Sequence, residues 1–340
     1  MNTTRIGIDL AKSVFEVAVS RSPGRVDARQ RLPRSRMHEY FAHCERAEVL
    51  MEACGSAHHW GRELQAMGHR VSLLHPGDVA RYRDGNKTDR ADAKALLEAG
   101  RNEAIDRVPL KTVDQQALIA LHRLRQGYQQ TRTARINALR GHLREFGVVM
   151  PVGSSHVLQH ARAALDRGVV PSYLRDALED VMMEIAALRT KAEALRDELE
   201  RLADRMPDAE RLMSVPGIGV LTATALIAFV GDVRRFRSGR DFAAYLGLTP
   251  REHSSGHSRR LGSITKRGNT YLRMILIHGA RSALRAGKVA NAPDDLRAWA
   301  LAIERRSGHN VAAVALANKL ARVCWRVLRD QRSFEHRSAA

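Results

Sequence analysis

Along the first hundred residues, short β-branched apolar runs alternate with amphipathic stretches. Residues 5–9 and 14–20 read as strands, 49–51 and 71–74 as further short apolar runs, and 58–67 as a helix between the last two. That alternation predicts an α/β unit. From residue 114 to 146 the period changes: Leu118, Leu121, Tyr128, Ile136, Leu139, Leu143 and Phe146 recur at mostly helical intervals. Arg123, Arg125, Arg132, Arg135, Arg140 and Arg144 line the polar side, which predicts one long basic amphipathic helix. Further on, Val181, Ile185, Leu188, Ala192, Leu195, Leu199, Leu202 and Met206 keep a 4-3-4-3 spacing, the apolar seam of a coiled coil. Such a seam needs a partner helix, supplied by a hairpin within the chain or by a second subunit, and the expectation leans to the second subunit. Pro207 is expected to end this helix, because its ring removes an amide and crowds the preceding turn. The remainder reads as mainly helical, closing on Val311, Val314, Leu316, Leu320, Val323 and Val327 of a packed terminal helix.

With 340 residues the chain is long enough for about two domains with cores of their own, and 44% hydrophobic against 27% charged residues excludes a disordered protein. Its 56 Lys and Arg against 37 Asp and Glu leave a net charge of +19, as expected of a protein that meets a polyanion, nucleic acid before an anionic membrane. The excess is segmental: residues 101–150 carry +5 and 251–300 carry +7, whereas 151–200 carry −3. Residues 213–231 hold no charge, but Pro216, Gly217 and Gly219 break the first third, and the rest is too short to cross a bilayer and suits a buried helix. The N-terminal residues read as a folded strand and not an export signal. Cys44, Cys54 and Cys324 lack a metal or disulfide spacing, so they read as core residues of a cytoplasmic protein. Aromatics at 5% offer no platform for stacking single-stranded bases.

Candidate chemistry starts with carboxylates. Asp9 ends the first apolar strand and Glu52 ends the run VLME, so both are expected at strand ends, projecting into the cleft of an α/β sheet. Asp89 and Asp92, in NKTDRADAKALLEA, stand three apart on one helix face. Four carboxylates delivered this way suit a pair of hard divalent cations, Mg²⁺ or Mn²⁺, able to assist an in-line phosphoryl displacement. The plainer reading makes Asp89 a helix cap or first-turn acid and Asp92 a partner for Lys94 or Arg90. SVPGIGVLTA resembles a helix-hairpin-helix element in which Gly217 and Gly219 let backbone amides approach a phosphate; the alternative is an ordinary helix start.

Residues 251–288 hold nine basic side chains and the single acid Glu252. The first half, rich in Ser and Gly, reads as a polar loop in which Arg251, Arg259, Arg260, Lys266, Arg267 and Arg273 can neutralise phosphates. A serine among these arginines is either simply solvated or a nucleophile toward phosphorus. His58, His59, His253 and His257 lack a metal spacing; of the last two, one is a candidate proton shuttle and solvated loop residues are the alternative. Trp60, Trp299 and Trp325 read as core.

Together, RIGIDLAKSVFEV, the glutamate of VLMEACG, NKTDRADAKAL, SVPGIGVLTATAL, FRSGRDFAAYLGLTPREHSSGHSRRLGSITKRGNTYLR and VAAVALANKLARVCW resemble an insertion-sequence transposase of the IS-one-ten type, over nearly the whole chain. The resemblance implies an RNase-H-fold, RuvC-like α/β domain at residues 1–110 with a D-E-D-D tetrad at Asp9, Glu52, Asp89 and Asp92. It implies a basic helix and coiled-coil linker at 111–207, a mainly α-helical transposase domain at 208–330 and a tail at 331–340. It also implies a nucleophilic serine directly before a glycine, which is Ser255 here with Ser254 competing, and a transient phosphoserine link to DNA. Mg²⁺, with Mn²⁺ as the alternative, is the implied cofactor. The implied partners are double-stranded DNA, an element-encoded guide RNA and further copies of the chain as a dimer or tetramer, with no membrane and a cytoplasmic, nucleoid-associated location. Two rival readings remain: a RuvC-like structure-selective nuclease in which metal-activated water attacks, and a basic architectural or RNA-binding protein whose carboxylates only pair with arginines.

Overall fold

A computed structural model describes residues 4–86, 88–256, 258–290 and 294–335. The chain divides into two compact units between Asp114 and Gln115.

The first unit is mixed α/β. Strands β1 (Arg5–Asp9), β2 (Val14–Ser20) and β3 (Ala28–Pro33) form an antiparallel meander, followed by helix α1 (Met37–Ala42). Strand β4 (Glu48–Glu52), helix α2 (Ala57–Ala66), strand β5 (Arg70–Leu74), the short α3 (Pro76–Val79), helix α4 (Asp89–Arg101) and strand β6 (Arg107–Val108) complete it. The sheet order is β3-β2-β1-β4-β5-β6, with β1, β4 and β5 parallel and β6 antiparallel to β5. Because side chains alternate across a sheet, each face has its own core. Ile6, Ile8, Phe15, Val17, Val49, Met51 and Leu73 bury against α1 and α2, whereas Ala18, Leu50 and Leu74 bury against α4. Helix α4 lies tight on β1: a Cβ at Gly7 would stand 2.5 Å from the Ala93 carbonyl oxygen.

The second unit is mainly helical. Helices α5 (Val113–Glu145), α6 (Val157–Asp166) and α7 (Ser172–Ala203) lead into α8 (Pro207–Met213), α9 (Val220–Val230) and α10 (Gly239–Tyr245). A two-stranded ribbon, β7 (Pro250–Glu252) and β8 (Leu261–Ile264), precedes α11 (Thr270–Val289), α12 (Asp295–Ser307) and α13 (His309–Asp330). The main core gathers α8 to α13 around the apolar α9.

Three expectations change here. The heptad seam finds its cover inside the chain: Leu118 clusters with Leu199, Lys191 Nζ sits 5.9 Å from the Tyr128 ring, and Arg135 pairs with Glu184 at 2.8 Å. As one number rises the other falls, so α5 and α7 run antiparallel as a hairpin, and Ile185 packs with Ile136 and Leu139. Pro207 does not end α7, which stops at Ala203; it opens α8, where the first turn has no use for its missing amide. Trp60 and Trp325 are buried, but Trp299 is 39% exposed, with Lys319 Nζ 4.3 Å from its ring. Cys44, Cys54 and Cys324 are free thiols, the last fully buried. Among the described residues no helix is long and apolar enough to cross a membrane.

Candidate active site

The sheet period brings the acids together. Asp9 shares a face of β1 with Gly7, the face α4 covers, and Glu52 shares a face of β4 with Leu50, which packs beneath the same helix. In the parallel register Ile8 stands beside Met51, so Asp9 and Glu52 leave at neighbouring ends of adjacent strands. Thr88 caps α4, its hydroxyl accepting from the Ala91 amide at 3.2 Å, and Asp89 and Asp92 occupy the first turn. The electrostatics register this convergence. Asp9 is pushed up to about 6, first by burial and then by the charges of Asp89, Asp92, Glu52 and Glu16.

Glu16 was not singled out in the sequence. It stands opposite Asp9 in the antiparallel register, and its signal was a lone glutamate inside the apolar strand of Val14, Phe15 and Val17. Arg83 also went unnoticed: its guanidinium pairs with Asp92, which takes neither Lys94 nor Arg90 as partner. Glu48, at the other end of β4, is the contrasting case. Burial pushes it up, but Arg5 at 2.8 Å and Arg70 at 2.9 Å more than offset that and hold it below the ordinary glutamate value.

The donor set is all carboxylate, acid repels acid across it, and a hard divalent cation is the group that such a set accommodates. Among the described residues no three acidic, histidine or cysteine side chains are already spaced as a cage for a metal ion. Arg83 supplies the counter-charge at Asp92.

The serine segment, expected as an irregular loop, is a β-hairpin. Residues flanking β7 and β8 extend the ribbon: His253 donates its amide to the Arg260 carbonyl at 2.9 Å, and Ser255 and Ser258 exchange backbone hydrogen bonds at 3.1 and 3.0 Å. Gly256 follows with φ +54°. The Ser254 hydroxyl donates to Glu252 Oε1 at 2.7 Å and accepts from the Arg260 amide at 3.3 Å. The exposed Ser255 hydroxyl has no partner among the described residues. The base of the hairpin is pinned, with Thr265 donating to Thr249 O at 2.8 Å and Lys266, at φ +56°, donating to Gly247 O at 3.1 Å. His257 lies outside the described residues.

Arg251, Arg259, Arg260, Lys266 and Arg267 are exposed around this hairpin, with Arg259 3.3 Å from Glu252. Arg273 corrects the sequence reading. It is buried, and its guanidinium donates to the carbonyls of Leu246 at 3.2 Å and Arg267 at 2.9 Å and to Thr270 Oγ1 at 3.3 Å, so it anchors the loop and cannot reach a phosphate. Gly217 is likewise set by packing: with φ +88°, a Cβ there would stand 2.6 Å from the Gly279 carbonyl of α11. Gly219 is exposed and opens α9, with free space around its Cβ position. His58 accepts from the Lys111 amide at 3.2 Å and is pushed down to about 4, by burial first and then by Lys111 and Arg62.

Two family models match the chain in sequence order. One, described as a transposase domain of the DEDD, IS110 kind, covers residues 6–148 and so includes Asp9, Glu52, Asp89 and Asp92; a DEDD domain goes with dependence on a divalent metal. The other, described as "Transposase IS116/IS110/IS902 family", covers residues 209–294, including the serine hairpin. The chain is 40% identical to a "Probable family 20 transposase" of Pseudomonas aeruginosa, over 96% of this chain and 97% of that protein. It is 38% identical to the transposase for insertion sequence element IS1111A of Coxiella burnetii, over 97% and 90%. To the transposase for insertion sequence element IS1328 of Yersinia enterocolitica it is 35% identical, over 95% and 96%. Matched almost end to end at these identities, the chain belongs to the IS110 family of transposases, enzymes that cleave and rejoin DNA.

Proposed function

We propose that this transposase moves an insertion sequence through a phosphoserine intermediate, with Ser255 as nucleophile and Mg²⁺, or Mn²⁺ in its place, held by Asp9, Glu52, Asp89 and Asp92. The observation that carries the reading is the convergence of these acids, from two strand ends and one helix turn, on the α4 face of the sheet. When bound, the cation supplies Lewis-acid stabilisation of charge on the phosphate oxygens. The Ser255 Oγ attacks phosphorus and loses its proton; the Oγ–P bond forms, and the P–O bond to the departing sugar oxygen breaks, that oxygen taking up a proton. A sugar hydroxyl of the new partner strand then attacks the phosphoserine and returns the serine, so the bond energy is conserved.

Ser255 is preferred over Ser254 because the Ser254 hydroxyl is engaged by Glu252 and the Arg260 amide, whereas Ser255 stands exposed beside Gly256. Arg251, Arg259, Arg260, Lys266 and Arg267 flank it with positive charge suited to a phosphate backbone. In this reading residues 1–110 form a RuvC-like catalytic domain and 208–330 the serine-bearing domain, joined by the helical hairpin. Its support is the mixed sheet, with β1 and β4 adjacent and parallel. An element-encoded RNA guides the choice of DNA, and serine and carboxylates meet in an oligomer of the chain on the nucleoid. The scarcity of aromatics supports a protein that grips backbone and leaves sequence to base pairing.

The test incubates the full-length protein with Mg²⁺, element-derived RNA and labelled DNA spanning the element junction. A denaturant-resistant, protease-sensitive protein–DNA adduct is expected, lost in both Ser255→Ala and Asp9→Ala with DNA binding retained. An adduct at wild-type level in Ser255→Ala overturns the nucleophile, and cleaved DNA without any adduct replaces the reading with a hydrolytic nuclease.

A further inference from the structure

The second half of the basic segment lies beyond the serine hairpin, on α11. Leu276, Ala280, Ala283, Leu284 and Gly287 press one side of that helix into the core, which leaves His278, Arg281, Ser282, Arg285 and Lys288 along the other. At 1.5 Å rise per residue, His278 to Lys288 make a row ~15 Å long. This row lines a cavity of about 480 Å³ that His309, the first residue of α13, also lines. A second cavity of about 500 Å³ continues it past Lys288 to Arg305.

The charge in this groove is nearly all of one sign. Arg281 donates to Asn310 Oδ1 at 3.1 Å, an uncharged partner, and Arg285 has no ion pair among the described residues. Glu304 is the acid that lines it, and Lys288 Nζ and His309 Nδ1 both hold that acid at 2.8 Å. The 22-residue α13 starts at Gly308 without a side-chain cap, so its positive end adds to the same potential. Among the described residues no Phe, Tyr or Trp lines either cavity, so the groove offers no large stacking platform for single-stranded bases. A duplex strand carries one charge per ~3.4 Å, so a row of ~15 Å faces about four phosphates, and Arg281 and Arg285, neither in an ion pair among the described residues, meet them with positive charge.

We propose that the groove between α11 and the start of α13 is a further binding site for the sugar–phosphate backbone of duplex DNA, separate from the serine hairpin and blind to sequence. DNA is chosen over RNA because the family acts on DNA. The inference rests on that membership and not on the serine or carboxylate chemistry.

The experiment measures the affinity of the full-length protein for a labelled DNA duplex of unrelated sequence across a salt series. In Arg281→Gln/Arg285→Gln the slope of log K against log salt is expected to shrink by about 2, and in Arg285→Gln alone by about 1, at roughly 0.9 per lost phosphate contact. Arg167→Gln/Arg189→Gln removes two exposed arginines elsewhere on the unit and should keep the wild-type slope. Both altered groove positions are exposed, so thermal midpoints are expected to match wild type. An unchanged slope in the groove variants overturns the site, an equal fall in the arginine control reduces it to bulk charge, and a fall seen with duplex RNA but not DNA overturns the choice of partner.

Discussion

At Gly7 one hydrogen in place of a methyl sets the distance between α4 and β1. Gly7→Ala would drive a Cβ to 2.5 Å from a helix carbonyl, so either the helix or the strand must move, and Asp89 and Asp92 move with it. The expected cost is about 1–3 kcal/mol, read as a lower denaturant midpoint, together with weaker metal-dependent DNA cleavage. Gly127→Ala is the counter-case: nothing lies within 4 Å of its Cβ position in α5, and the change should stabilise by up to ~1 kcal/mol in the same assay. At this scale the sequence singled out Asp9 and Glu52 by their place at the ends of apolar runs, and Asp89 and Asp92 by their spacing on one helix face. It could not separate Arg273 from Arg267, because both are arginines six residues apart in one basic segment. Burial against carbonyl oxygens, and not composition, makes Arg273 an anchor.

Between elements, the hairpin of α5 and α7 shows what a heptad pattern can and cannot say. Its period announced an apolar seam, and the seam is there, but periodicity does not name the partner. The complementary stripe of Ile136 and Leu139 turns it back on its own chain. Ile185→Ala is therefore expected to cost about 2–4 kcal/mol, read as a lower denaturant midpoint; an unchanged midpoint would overturn the packing of α7 on α5. The serine hairpin was hidden for the opposite reason. Its paired segments, Pro-Arg-Glu and Leu-Gly-Ser-Ile, are only three and four residues long, too short for an alternation to mark them, and the pairing is held by backbone hydrogen bonds that leave little trace in the sequence.

For the molecule as a whole, stability should depend on pH through a residue the sequence never advertised. His122 is fully buried where α5, α9 and α11 meet, its ring nitrogens 2.9 Å from Tyr271 Oη and 3.1 Å from Thr224 Oγ1, with Phe229 beside it. Burial, and then the charge of Arg125, push it down to about 4. The folded state thus binds fewer protons than the unfolded chain below pH ~6.5, so stability is whole above that value and falls as pH drops toward 4, by roughly 3 kcal/mol. Denaturant titrations from pH 7.5 to 4 should show that loss in the wild type and less of it in His122→Asn; equal slopes would overturn the assignment. His58, also near 4, belongs to the first unit and acts equally in both proteins. What the sequence determined by itself was whatever follows from local pattern and sign: an α/β unit before a helical one, a polyanion-binding charge, and the acids at the ends of apolar strands. Only the tertiary structure decided which acids share a face with α4, that Glu16 joins them and Arg83 meets Asp92, which arginines stay exposed, and that the α7 seam closes on α5. These depend on sheet register and helix docking, which bring together residues far apart in the chain, and no local period encodes that distance.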